Sequence, residues 1–156
     1  MSSPHPRILG LDVGDKTIGV AVSDGLGITA QGLGTIRRQS WAKDFAALKG
    51  YIDEYEAGEV GEIVVGLPKS MDGTIGPQAD KVLAFVHKLR TEFDLPVALY
   101  DERLTTALVQ KALIAGDVSR AGRKKVVDML AAQIILQGYM DRKASGRVPV
   151  TDKQEV

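Results

Sequence analysis

Residues 8–24 read ILGLDVGDKTIGVAVSD, two apolar runs flanking the short polar segment from Asp12 to Thr17. Both runs are rich in Ile and Val, and the glycine-containing turn between them predicts an antiparallel hairpin with strands over 7–13 and 17–23. The first run ends on a carboxylate, Asp12. An acid at a strand end followed by a glycine turn suits a metal site, a phosphate site, or a hairpin whose aspartate bonds its own turn. The choice depends on what the rest of the chain brings to the same place.

Downstream the hydrophobic period changes. A third strand is expected over 28–36, and from Trp41 the residues Phe45, Leu48, Ile52 and Tyr55 recur at helical spacing, with Ser40 as cap and an end near Gly58. EIVVGLP at 62–68 is a short continuous apolar run stopped by Gly66 and Pro68, the pattern of a buried parallel strand. Pro77 opens a helix with Val82, Phe85, Val86, Leu89 and Phe93 on one side, and PVALYDE at 96–102 reads as another buried strand ending on Asp101 and Glu102. Thr105 or Thr106 caps a short helix to about Ala115. The polar segment 116–125 precedes a long helix to about Met140, and the tail 145–156 reads as disordered. One α/β domain over 1–144 results, with a mixed five-stranded sheet, three antiparallel strands then two parallel ones, and helices on both faces. In such sheets sites gather at the ends of the central parallel strands, where Asp12 and Glu102 fall.

Composition removes several chemistries. The 156 residues, 44% hydrophobic and 26% charged, are enough to bury a core without disulfide or metal staples. Lysine plus arginine equals aspartate plus glutamate at 20 each, so any electrostatic footprint for nucleic acid has to be local. The absence of cysteine excludes thiolate sites and suits a reducing cytoplasm. The two histidines, His5 and His87, make a multi-histidine zinc site or a histidine base a poor expectation. No signal peptide and no run of about 20 apolar residues is present, so neither secretion nor membrane insertion is expected.

A third acid sits oddly. Asp128, Ala131, Ala132, Ile135 and Leu136 fall at i, i+3, i+4, i+7 and i+8, so a charge shares the core stripe of the last helix. Ionised carboxylates are seldom buried without partners, and the two alanines permit close approach to the sheet, bringing Asp128 toward the strand ends. Singly, Asp12, Glu102 and Asp128 each have an ordinary structural explanation: a turn bond, a solvated strand end, an ion pair. Jointly they converge on one edge of the sheet in a chain nearly without histidine. Two or three carboxylates are what Mg²⁺ or Mn²⁺ requires, and a pair of such ions about 3.5–4 Å apart hydrolyses phosphodiesters without a histidine base.

Four segments then match a known family in order and spacing: LGLDVGDKTIGVAVSD at 9–24, IVVGLPKSMDGTIGPQA at 63–79, YDERLTT at 100–106 and KKVVDMLAAQIILQGYMD at 124–141. From about Ile8 to Met140 the chain resembles the YqgF/RuvX family, assigned to pre-16S rRNA processing and Holliday junction resolution. The resemblance implies a ribonuclease H-like fold similar to the RuvC resolvase, and Asp12, Glu102 and Asp128 as the metal-binding catalytic set. It implies a nuclease acting on structured RNA or branched DNA, with precursor 16S rRNA placed ahead of the four-way junction. A junction substrate would call for a homodimer, since two symmetric nicks need two sites related by a two-fold axis.

Cationic residues around the motifs are candidates for phosphate contacts: Lys16 in the first turn, Lys69 in the second motif, and Arg103 beside Glu102, which could equally pair with Asp101. Arg120, Arg123, Lys124 and Lys125 precede Asp128 by about one to two helical turns, so a run that is usually a solvated face here flanks the acids. The first hairpin also loosely fits actin-like ATPases and sugar kinases, but those need two related domains and this chain holds no repeat. A non-catalytic RNA-binding module is the remaining rival, and the intact acid set argues against it.

Overall fold

In the computed structural model, residues 6–68, 76–101 and 120–144 are described, with the backbone alone over 120–126. Five strands, β1 (Arg7–Val13), β2 (Thr17–Ser23), β3 (Ala30–Arg37), β4 (Val60–Leu67) and β5 (Val97–Asp101), form one sheet in the order β3-β2-β1-β4-β5. The β1–β2 and β2–β3 pairings are antiparallel, whereas β1–β4 and β4–β5 are parallel. Helices α1 (Trp41–Asp53) and α2 (Pro77–Glu92) supply the crossovers, and α3 (Arg120–Ala144) follows. The short helix expected up to Ala115 and the expected disordered tail lie outside the described residues.

Strand alternation sorts the side chains into two cores. Leu9, Leu11 and Val13 of β1 and Ile18, Val20 and Val22 of β2 pack with Leu48 of α1 and Val82, Phe85 and Leu89 of α2. The opposite face is built from small residues, Ala21, Val64 and Ala98, against Ala132, Leu136, Tyr139 and Met140 of α3. Each fully buried leucine or isoleucine contributes about 1.5–3 kcal/mol by leaving water. The two faces differ in side-chain size, and the small-residue face lets α3 approach the backbone of the hairpin.

Several boundaries differ from the sequence expectation, with α3 running on to Ala144 past the expected end near Met140 and β4 starting at Val60, two residues before the expected run. β3 begins at Ala30 because Asp24 holds the preceding turn, accepting from the Ile28 and Thr29 amides at 2.8 and 3.3 Å. α1 stops at Asp53 instead of near Gly58. The chain tightens there through bonds from Glu54 N to Tyr51 O and Tyr55 N to Ile52 O, and Gly58 takes a left-handed φ of 82° in the turn before β4. α3 begins at Arg120, so Arg120, Arg123, Lys124 and Lys125 stand on its first two turns and not in a loop before it. Arginine and lysine are strong helix formers, and their polarity disguised helix as loop.

Candidate active site

The sheet edge where β1, β4 and β5 end is fixed by register: Leu11 lies opposite Val65, and Leu67 opposite Asp101. Asp12 is on β1 beside this edge, directly across the ladder from Gly19 of β2. Gly19 is where α3 touches the sheet: a Cβ there would overlap the Asp128 carbonyl, with its carbon only 2.5 Å away. Gly10 does the same further back along β1, since a Cβ there would come within 2.7 Å of Leu136 Cβ and 3.2 Å of the Ala132 carbonyl. Gly10 and Gly19 therefore face α3, and by strand alternation Asp12 and Thr17 face it too.

Thr17 confirms this geometry with a direct contact. Its hydroxyl donates to Asp128 Oδ2 at 2.6 Å, joining the far side of the hairpin to α3. Asp12 and Asp128 thus converge on one pocket of backbone, Asp12 from the strand opposite Gly19 and Asp128 from the helix residue seated over Gly19. Neither carboxylate is fully covered.

The turn that carries this arrangement is tied down from behind. Gly14 N donates to Thr17 O at 2.8 Å, and Arg38 N donates to Lys16 O at 2.8 Å. The Arg38 guanidinium donates to Gly14 O at 2.9 Å and to Asp44 Oδ2 at 3.2 Å, while Asp44 Oδ1 accepts from Gln39 N at 2.9 Å. Asp44 is buried, and the guanidinium sits over the Trp41 and Phe85 rings at 5.7 and 5.4 Å. A partly buried ion pair that also satisfies a turn carbonyl fixes that turn more firmly than a surface bridge would.

Of the residues singled out in the sequence, the structure places Asp12 across the ladder from Gly19, seats the Asp128 backbone over that same glycine, and leaves Lys16 exposed at the tip of the adjoining turn. Glu102, Lys69 and Arg103 lie outside the described residues. Arg120, Arg123, Lys124 and Lys125 are placed on α3 by backbone only. Among the described residues no three acids or histidines gather. Thr17 was missed in the sequence as a partner of Asp128. The signal was present in the alternation, since 10, 12, 17 and 19 share one face once the hairpin register is drawn.

The family model described as "RuvX: Holliday junction resolvase" matches residues 6–142. The chain belongs to the RuvX family. Among curated relatives, a protein of Thermoanaerobacter pseudethanolicus named as a proposed pre-16S rRNA nuclease is 59% identical over 136 residues, 86% of this chain and 96% of that protein. One of Desulforamulus reducens with the same name is 56% identical over 138 residues, 88% of this chain and 98% of its own. Among solved structures, Thermus thermophilus RuvC in complex with a Holliday junction substrate matches with a TM-score of 0.57 at 15% identity, covering 94% of this chain and 100% of that one. That likeness speaks for the fold, the ribonuclease H-like sheet expected from the motifs. Family membership makes the protein a nuclease, a hydrolase of phosphodiester bonds.

The donors fit a hard divalent cation. Asp12 and Asp128 offer carboxylate oxygen only, the chain has no cysteine, and His87 is exposed on α2, on the other side of the sheet.

Proposed function

We propose that the protein is a divalent-cation-dependent endonuclease that cuts structured nucleic acid, with the 5′ end of precursor 16S rRNA as its substrate and the cytoplasm as its place of action. The observation that carries this reading is the convergence of Asp12 and Asp128 across Gly19 at the edge where the parallel strands end. Glu102 completes the acid set, two positions in sequence after Tyr100, whose ring packs on the α3 face. The relatives' shared name supports the RNA substrate.

Asp12, Glu102 and Asp128 would hold Mg²⁺ or Mn²⁺, as a pair of ions. When bound, the cations supply the Lewis acidity for attack of water on phosphorus and for departure of the leaving oxygen. The chain's own groups hold and orient: Asp12 and Asp128 from opposite sides of Gly19, with Thr17 bonded to Asp128. Lys16, Lys69, Arg103 and the basic first turns of α3 receive the phosphate backbone. Trp41, an exposed aromatic, stacks with Phe45 and Phe85 on the α1/α2 side, so it offers no stacking platform beside the acids. Recognition follows backbone shape.

The test offers the purified protein precursor 16S RNA and a four-way DNA junction in competition, with Mn²⁺, maps the cuts and measures mass in solution. A discrete cut in the RNA, lost in Asp12→Asn, is expected. Paired symmetric nicks in the junction from a stable dimer would instead assign resolution, because that reaction needs two sites about a two-fold axis.

A further inference from the structure

We infer that Thr17 is a positioning residue for the Asp128 carboxylate, holding it in the orientation that receives the cation; this rests on the metal-dependent reading above. The contact is a hydroxyl to Asp128 Oδ2 at 2.6 Å across 111 residues of sequence. An ionised carboxylate only accepts, so Thr17 is the donor. At this distance the bond belongs to the short, charge-assisted class.

The bond is not required by either backbone. Thr17 is in the β2–β3 ladder opposite Arg37, and its carbonyl accepts from Gly14 N at 2.8 Å. Asp128 lies inside α3, eight residues from its first residue Arg120, so its side chain caps no helix end. Nor is the bond needed to bring helix and strand together, because the missing side chain at Gly19 and the apolar contacts of Ala132 and Leu136 already do so. What the hydroxyl adds is a fixed direction for one carboxylate oxygen.

Thr17 is itself held. Its β-branched side chain has restricted χ1. The turn before it is anchored by Arg38 through the Gly14 and Lys16 carbonyls, and Arg38 is anchored by buried Asp44. The chain of contacts therefore runs from a partly buried ion pair, through a turn, to a hydroxyl, to the acid. Groups that bond to metal-ligating carboxylates in this way typically change metal affinity about 10–100-fold when removed.

The experiment titrates Mn²⁺ into substrate-free protein, following unbound Mn²⁺ by electron paramagnetic resonance, for wild type, Thr17→Val, Thr17→Ser and Asp128→Asn. Thr17→Val keeps the branched shape and removes the hydroxyl; binding should weaken about 10-fold or more with the thermal midpoint little changed. Thr17→Ser should return affinity to within about threefold of wild type, since it restores the donor. If Thr17→Val fails to fold, Thr17→Ala takes its place in the same titration with the same expectation. Wild-type affinity in the hydroxyl-free variant, beside clear loss in Asp128→Asn, would overturn the role of Thr17 alone. Wild-type affinity in Asp128→Asn would overturn the metal reading itself.

Discussion

Gly19 decides how closely α3 approaches the strand that carries Asp12. It stands opposite Asp12 and beneath the Asp128 carbonyl, so a methyl group there must push α3 off the sheet or distort β2. Gly19→Ala is expected to destabilise the protein by about 1–3 kcal/mol or more through overpacking and to lower cleavage beyond what the stability loss explains. Thermal unfolding and single-turnover cleavage well below the midpoint separate the two effects. At the same scale, Asp24 carries a pH signature. The Ile28 amide leads the hydrogen bonds that hold its carboxyl below the ordinary aspartate value. A depressed folded value means stability present above the unfolded aspartate pKa and lost as pH falls through the lower folded one. Asp24→Asn should therefore flatten the acid limb of the stability profile, while leaving stability at neutral pH lower because a charged acceptor has gone; urea titrations between neutral and acid pH read both.

Helix α3 carries most of what was hard to see. Its stripe of Ala131, Ala132, Ile135 and Leu136 was legible, and all four are buried. Its start was not, because Arg120 to Lys125 is polar on every side and apolar periodicity is silent there. Gly122 lies in that stretch, and a single glycine costs a helix only about 1 kcal/mol. The first hairpin lay at the opposite extreme: its strands were read at the bounds observed, since alternation and turn chemistry agreed. With the basic residues on successive turns leading to Asp128, Arg123→Ala, Lys124→Ala and Lys125→Ala combined should weaken substrate binding and reduce the dependence of log affinity on log salt by roughly one unit per lost phosphate contact. A lowered thermal midpoint with unchanged affinity would assign these residues to the fold.

In the whole molecule, the two faces of the sheet divide the labour. The large residues of α1 and α2 make the deep core around Phe45, Leu48 and Phe85, and the small-residue face exists so that α3 can bring an acid to a strand end. That division explains why the fold was more legible than the site. Hydrophobic period reports burial directly, but the meeting of Asp12 with Asp128 depends on a close approach at Gly19 that only register reveals, and the Thr17 bond depends on which face residue 17 takes. Asp44 shows the same dependence on tertiary contact: it lies on α1, yet it is buried against Arg38 and so supports the turn between Asp12 and Thr17 from behind.

If Asp12 and Asp128 act as one unit on the scissile phosphate, single-turnover cleavage of precursor RNA by wild type, Asp12→Asn, Asp128→Asn and the double variant will show it. Groups acting together are grossly non-additive, so each single variant should lose about as much rate as the double, on the order of 10³-fold or more. Cleavage at the wild-type rate by either single variant, or losses that simply multiply in the double, would mean that the two carboxylates do not work on the phosphate together.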